Sequence, residues 1–380
     1  MSQFNVVRRC YGCGAVLQSE DPKAKGYIGH ELLENGPLGA PLFCEECWKT
    51  TRYNSAPSGA KASDDFLSML RDARASDALI VYVVNLFSFE CSFIPEVNEI
   101  LGESKILVIA NKRDLLPKKA DDGWLRSYVA GHFRKSKLNV GKDDVYLLSL
   151  RSAMDISDVV KKIDAARKGH DVYVIGAAGA GKTVFVNAYL RGYANRSNRN
   201  VSIAKYPKTS LNVMTIPLDS SSSLFDTPGT SPENSLLSKV GPMQLHGLVP
   251  QMEIKPRQYA LAEKEKLVFG EGLATVTLTK GKRTALTVYC SNDLPIAKRL
   301  GNKLEDAFFK LVRQIGNAPK EISPSDFDAF DIDVEETGQR DIGIEGLGWF
   351  SFPASGQSFR LYVRKGVSLY ISTPKIKAKR

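Results

Sequence analysis

The sequence predicts an α/β protein: a parallel sheet with helices between its strands, preceded by a small cysteine module and followed by an α+β region. Three observations carry this. Short β-branched runs at Ala78–Phe87, Lys105–Ala110, Val145–Leu148 and Asp171–Ile175 each end in a polar or glycine-rich loop, the pattern of buried strands feeding functional turns. The stretch Asp155–Lys168 between them has helical periodicity. Two C-x-x-C pairs open the chain, and period-two segments dominate its last third.

At 380 residues the chain has room for two or three cores. The expected division is a module over residues 1–57, a central domain over 58–240 and a carboxyl-terminal domain over 241–380. Lysine and arginine total 52 against 42 acidic residues, a formal +10. That balance favours a polyanionic partner such as nucleic acid, with a merely solubilising basic surface as the alternative. The opening decapeptide lacks the apolar stretch of a secretory signal, and Ala78–Phe87 is too short to cross a bilayer. No membrane association is expected, and the six cysteines are read as reduced.

Cys10, Cys13, Cys44 and Cys47 form two C-x-x-C pairs separated by about thirty residues. Two such knuckles complete a tetrahedral thiolate shell suited to structural Zn²⁺. Metal binding would contribute on the order of 10–16 kcal/mol to folding the module. The alternative is a pair of redox dithiols or disulfides, but neither pair has a thioredoxin-like βαβ context. Cys91 and Cys290 stand alone and read as small buried hydrophobes.

The run Asp171–Ile175 leads directly into Gly176-Ala-Ala-Gly179-Ala180-Gly181-Lys182-Thr183, followed by the helical start Val184-Phe-Val. Strand, glycine loop and helix together make a phosphate-binding P-loop out of what would otherwise be a string match. Lys182 would neutralise phosphate charge, and the Thr183 hydroxyl would ligate Mg²⁺. Downstream, a short apolar run ends in Asp226-Thr-Pro-Gly229. The aspartate stands where a Walker B carboxylate helps hold Mg²⁺, and the Gly229 amide would face a γ-phosphate.

Asn111-Lys112-Arg113-Asp114 follows the Lys105–Ala110 strand. This is the N-K-x-D pattern of guanine recognition, in which the aspartate accepts from the N1–H and N2–H₂ groups. Adenine would leave that carboxylate unpaired, which argues against an ATP-dependent enzyme. Ser149, Leu150 and Arg151 fall where a loop backing the guanine O6 is expected. Asn111 and the Lys112 stem would pack on the base and brace the loops. The base motif precedes the P-loop by about sixty residues, the reverse of the order in most G proteins. The fold expected is therefore a circularly permuted P-loop G domain, with a zinc-knuckle module before it and an α+β domain after it. Permutation would lead the switch segments straight into the domain that follows.

These motifs resemble the YqeH-type circularly permuted GTPases over nearly the whole chain. The resemblance rests on the motif order and the four-cysteine module, with Glu253–Gln258, Leu267–Ala274 and Asp341–Ser351 in support. It implies a GTPase that assists assembly of the small ribosomal subunit or its precursor and touches ribosomal RNA. GTP/GDP, Mg²⁺ and structural Zn²⁺ are the implied cofactors. A monomer in a bacterial cytoplasm is expected, with a mitochondrial or plastid matrix as the alternative. The family P-loop usually carries asparagine at the position of Gly179, a residue tied to potassium-assisted hydrolysis, so K⁺ dependence stays open. Thr209 or Ser210 would supply the switch hydroxyl to Mg²⁺, with register favouring Ser210. Asn85 stands where an aspartate is expected. No glutamine follows Gly229; Thr230 stands there, which implies slow intrinsic hydrolysis. A nucleotide-gated RNA-binding scaffold with negligible turnover is the second reading. Nothing in the sequence resembles a haem or flavin site.

In the last third, Ala274–Leu278 and Thr284–Tyr289 read as a hairpin about Lys280–Arg283. Ile296–Gln314 reads as an amphipathic helix and Ser323–Glu336 as an acidic linker. Ser358–Arg364 and Val367–Ile371 read as strands. Arg360, Tyr362, Arg364, Lys365, Tyr370 and the tail Lys375–Arg380 could meet RNA, or form a solvated face with the rings in the core.

Overall fold

The computed structural model describes residues 16–22, 24, 26–30, 33, 44–45, 63–150, 156–194, 202–207, 212–227, 229, 234–240, 247–270, 272–301 and 324–377. Helix α1 (Asp64–Ala75) leads into β1 (Leu79–Asn85), then α2 (Pro95–Leu101), β2 (Ile106–Asn111), α3 (Asp122–Lys135) and β3 (Val145–Leu147). Helix α4 (Ser157–Arg167), β4 (Val172–Ile175), α5 (Lys182–Ala194), β5 (Ser202–Lys205), β6 (Asn212–Pro217) and β7 (Ser223–Asp226) complete the first layer system. Local chemistry sets the helix starts. Ser63 accepts from the Phe66 amide and Asp121 from the Trp124 amide, and acidic residues stand in each first turn, where they complement the helix dipole.

These strands form one sheet in the order β3-β2-β1-β4-β7-β6-β5. The first five run parallel, and β6 and β5 add on antiparallel. Strand β1 is central and buried on both faces. Ile80, Tyr82 and Val84 pack with α1, α2 and α3, while Leu79, Val81 and Val83 pack with α4 and α5. This period-two partition explains why the run is apolar throughout rather than alternating. The result is an α/β sandwich whose motif order is permuted, as expected from the sequence.

The carboxyl-terminal half builds an eight-stranded sheet. It contains β8 (Arg257–Leu261), β9 (Glu265–Phe269), β10 (Ala274–Lys280), β11 (Thr284–Cys290), β12 (Ile296–Leu300), β13 (Phe327–Ile344), β14 (Gly348–Arg364) and β15 (Leu369–Ser372). All of its ladders are antiparallel. One core gathers Phe269, Val276, Leu286, Phe350, Phe352, Phe359 and Leu361.

Three expectations are corrected here. Strands β10 and β11 exist, but they do not form a hairpin. Both lie along the same edge of β14, Ala274 opposite Val363 and Lys280 opposite Ser358, then Thr287 opposite Ser351 and Cys290 opposite Gly348. Lys280–Arg283 therefore marks a kink in a run that keeps its direction. A β14 of 17 residues offers enough backbone for both segments, and that long-range partner outweighs the local turn signal. Ile296–Leu300 is a strand, not the start of a helix, because it completes the ladder on the open edge of β9; residues 302–314 lie outside the described residues. Ser323–Glu336 is no linker. Phe330, Ile332 and Val334 alternate with Asp331, Asp333 and Glu335, and the segment pairs with β14 from Phe327 onwards. Its carboxylates find cross-strand partners, Asp331 holding Arg360 through two bonds of 2.7 and 2.8 Å.

Asp341 on β13 is fully buried and accepts from the Lys375 amide at 2.8 Å and from the Ser351 hydroxyl. Burial pushes its carboxyl up to about 6, against the hydrogen bonds from Lys375 and Ser351 and with the nearby Glu90 charge adding to the rise. The folded state then binds this proton more tightly than the unfolded chain. Stability from this group is complete below the ordinary carboxylate range and is lost as pH rises through about 6. Urea unfolding across this window should show the decline, by up to about 3 kcal/mol. Asp341→Asn should flatten that slope, and an unchanged slope would show that Asp341 is not its source.

Candidate functional site

Parallel alignment brings the Asn111–Asp114 turn, the Ser149–Leu150 loop, the P-loop and Asp226 to one edge of the sheet. In register, Asn85 lies beside Asn111, Tyr82 beside Ile175, and Val174 beside Asp226. The loops after β1, β2, β3, β4 and β7 therefore converge. The chain winds one way from β1 through β2 to β3 and the other way from β4 to β7. The crevice beyond their carboxyl ends is a topological switch point, where open α/β sheets bind ligands.

The P-loop leaves β4 at Gly176, and α5 begins at Lys182 with the Phe185 amide bonded to the Gly181 carbonyl at 2.9 Å. Two glycines are required by close approach. A Cβ on Gly176 would lie 2.2 Å from the Val83 carbonyl, and one on Gly181 would lie 2.2 Å from Asn111 Nδ2, both at positive φ. Gly179 also has positive φ (+77°), but a Cβ there would meet open space. The Lys182 ammonium is buried and donates to the carbonyls of Gly176 (2.8 Å) and Ala177 (3.3 Å). Burial lowers its pKa to about 8, with Asp226 opposing the shift. Thr183 is exposed on the first turn of α5, and Val184 packs onto the core beneath it.

Asp226 ends β7. Its Oδ1 is buried and finds no hydrogen-bond partner among the described residues. Burial pushes this carboxyl up to about 6, with Lys182 pulling it back. Thr227 fastens the following turn to β4, its hydroxyl donating to the Val174 carbonyl at 2.8 Å. A Cβ on Gly229 would lie 2.7 Å from Lys182 Nζ and 3.2 Å from the Ala178 backbone. The D-x-x-G turn is thus folded against the P-loop. A buried, unpartnered carboxylate oxygen next to an ammonium and a helix amino terminus fits a divalent cation bound with phosphates.

Asn111 joins the base loops to the phosphate loop. Its Nδ2 donates to the Ala180 carbonyl at 3.0 Å, and its Oδ1 accepts from the amides of Lys112 (2.7 Å) and Leu150 (3.2 Å). Lys112 takes a left-handed conformation, φ +65°. The Asp114 amide donates to the Ser149 hydroxyl oxygen at 3.1 Å, and the Arg113 amide donates to the Leu148 carbonyl. Ser149 therefore sits beside the Asp114 backbone, and Leu150 beside the Asn111 side chain. Arg151, Thr209 and Ser210 lie outside the described residues, as do Cys10, Cys13, Cys47 and Thr230. Cys44 is buried with Leu17 and Ile28. Asn85 closes a turn of its own, donating to Ser88 Oγ and accepting from the Phe87 amide.

Sequence reasoning did not single out Arg113. Its guanidinium bonds Asp122 (2.7 Å) and the carbonyls of Leu116, Pro117 and Ala120, pinning the loop behind the base motif. Only an arginine fork reaches so many acceptors, but the variable third position of the motif gave no signal for it. Lys375 was misread. Its side chain is 1% exposed and pairs with Glu90 at 2.7 Å, so this part of the tail faces the protein interior, not a polyanion. Arg364 likewise packs over the Phe327 ring near Asp326.

No family model matches the chain. A Bacillus subtilis protein, YqeH, is 30% identical over 95% of this chain and 97% of its own length. The chain belongs to the YqeH family. The NO-associated protein 1 of Arabidopsis thaliana, chloroplastic/mitochondrial, is 28% identical over 90% of this chain and 69% of its own length. The mouse nitric oxide-associated protein 1 shares 25% identity over 55% of this chain and 36% of its own.

Asn111→Ala should uncouple the three loops. Losing hydrogen bonds to two buried backbone partners should cost roughly 1–3 kcal/mol in denaturant unfolding. It should also speed amide exchange at Leu150 first, and equal exchange in both proteins would refute the bridging role.

Proposed function

We propose that this chain is a GTP-binding and GTP-hydrolysing assembly factor for the small ribosomal subunit or its precursor. The observation that carries the nucleotide reading is Asn111, which ties the Asp114 loop to the P-loop carbonyl of Ala180. Base recognition and phosphate binding are thereby set at a fixed separation. Asp114 would accept from the guanine edge, with Ser149, Leu150 and Arg151 backing the base and the Lys112 stem covering it. Gly176, Gly179, Ala180, Gly181 and Val184 would shape the phosphate cradle. Lys182 would exchange its loop carbonyls for phosphate oxygens, whose negative charge would offset the penalty that burial places on its ammonium. Thr183, Asp226 and Thr209 or Ser210 would hold Mg²⁺, which supplies charge neutralisation at the phosphates when bound. Cys10, Cys13, Cys44 and Cys47 would hold structural Zn²⁺.

The mechanical part of the reading has support in the chain path. Within a few residues of Gly229, the Asn234 carbonyl accepts from the Ser368 amide and the Leu236 amide donates to the Glu345 carbonyl, both at 2.8 Å. Leu236 and Val240 lie in the core of the carboxyl-terminal sheet. A rearrangement of the D-x-x-G turn would thus pull on that sheet. With threonine at position 230, intrinsic hydrolysis should be slow and the ribosomal particle should complete the site. A monomer with no membrane contact follows from this reading; no helix among the described residues is long and apolar enough to cross a membrane.

Two measurements test this. Asp114→Asn should lower GTP affinity by roughly 100-fold or more, because an amide nitrogen now faces the guanine donors. The same variant should gain affinity for xanthosine triphosphate, whose O2 accepts that new donor. Unchanged base preference would remove Asp114 from the site. Turnover by zinc-replete protein, with and without small-subunit particles and in potassium or sodium, tests the enzyme. Stimulation by particles supports a ribosome-triggered GTPase. GTP binding without turnover in every condition would favour the nucleotide-gated scaffold.

A further inference from the structure

We propose that the segment Pro374–Lys377 is a clasp that positions the guanine loops, so that Lys375 governs nucleotide retention from outside the pocket. The inference rests on reading the Asn111–Asp114 loop as the base site. Lys375 is buried beneath Trp349, its Nζ 4.2 Å from the ring centre, and it donates to Glu90 Oε2 at 2.7 Å and to the Phe87 carbonyl at 3.3 Å. The neighbouring Leu86 amide donates to the Asn111 carbonyl at 3.0 Å. A short bonded path therefore joins Lys375 to the residue that bridges the base and phosphate loops.

The other wall of the base loop is held by the same tail. The Asp121 amide donates to the Lys377 carbonyl at 2.8 Å, Trp124 Nε1 donates to the Pro374 carbonyl at 3.0 Å, and Lys377 Nζ lies 3.4 Å above the Trp124 ring. Arg113 connects these positions to the motif by bonding Asp122 and the Ala120 carbonyl. A second strap lies just before β8. The Ile254 amide donates to the Leu115 carbonyl at 2.9 Å, and Glu253 accepts from the Lys118 amide at 2.7 Å. Segments 85–90 and 115–124 flank Asn111–Asp114, and both are gripped by the carboxyl-terminal half.

Burial makes this grip all-or-none. An ammonium taken out of water is stable only with its partners in place. Here Glu90 and the Phe87 carbonyl come from the G domain, while Trp349 and Tyr370 come from the carboxyl-terminal sheet. Loosening either side exposes or strands the charge, so a change in the base loops on nucleotide binding would be felt at the clasp. Whatever engages the carboxyl-terminal sheet then reaches the nucleotide by two routes: through the Asn234–Val240 segment to the phosphate side, and through this clasp to the base side.

The test is the rate at which zinc-replete, full-length protein releases fluorescent GDP into excess unlabelled GDP. Wild-type binding and its loss in Asp114→Asn are established first. If wild type binds no GDP, the base-site reading fails and the clasp with it, an outcome distinct from failure of the clasp alone. Two variants weaken the clasp: Trp124→Phe, which removes the bond to Pro374, and Glu90→Gln with Lys375→Met, which removes both members of the buried pair together. Both should release GDP at least roughly fivefold faster, the lower end of coupling between linked sites. Preference for GTP over ITP, which lacks the exocyclic amine, should narrow in parallel. Phe359→Leu, in the core of the sheet, should lower the melting midpoint without changing release. Reciprocally, GDP should slow hydrogen exchange at the Lys375 and Lys377 amides of the wild-type protein. Wild-type release from the folded clasp variants, equal acceleration by Phe359→Leu, or tail amides indifferent to GDP would each overturn the proposal.

Discussion

The parallel ladder between β1 and β4, from Leu79 opposite Val172 to Tyr82 opposite Ile175, is the contact on which the rest of the molecule depends. It joins the half of the chain carrying the base motif to the half carrying the P-loop. Parallel strands all end on the same side, so their loops meet whatever their order along the chain. That is why a permuted sequence can still build one pocket. The register of this ladder also sets the small tolerances of the site. Gly176 must pass the Val83 carbonyl with no room for a side chain, and Gly181 must pass Asn111.

Permutation has a structural consequence at the other end of the domain. The D-x-x-G turn leads within a few residues into Leu236 and Val240, which are core residues of the carboxyl-terminal sheet. The base side is tied to that sheet as well, through Lys375, Lys377 and Ile254. The two halves share apolar packing too, since Trp349 of the carboxyl-terminal sheet meets Phe87 with ring centres 5.8 Å apart. The first sheet is thus braced at both ends of its loop crevice by the carboxyl-terminal sheet.

The motifs were legible because their chemistry is local. A glycine loop between a strand and a helix, or an Asn-Lys-Arg-Asp turn after a buried strand, needs only its neighbours to be recognised. The errors fell where a distant partner decided the outcome. Lys280–Arg283 has the composition of a turn, yet β14 offers a continuous edge and the chain runs straight along it. The acidic count over Ser323–Glu336 concealed a period of two that becomes a strand once β14 supplies cross-strand partners such as Arg360. Lys375 read as part of a basic tail because nothing nearby in sequence shows that Glu90 lies against it, 285 residues away.

By itself, the sequence determined the α/β class and the permuted motif order, and it singled out Lys182, Asp226, Asn111 and Asp114 as the candidate site residues. Strand patterns and loop motifs are properties of short windows, so they survive without knowledge of the fold. Only the tertiary structure decided how those loops are joined through Asn111, which strands share an edge of β14, and that the tail is buried against the base side of the site. Each of these depends on contacts between residues far apart in the chain. Burial then turns a surface-like lysine or aspartate into an interior group whose charge must be matched by whatever the fold brings beside it.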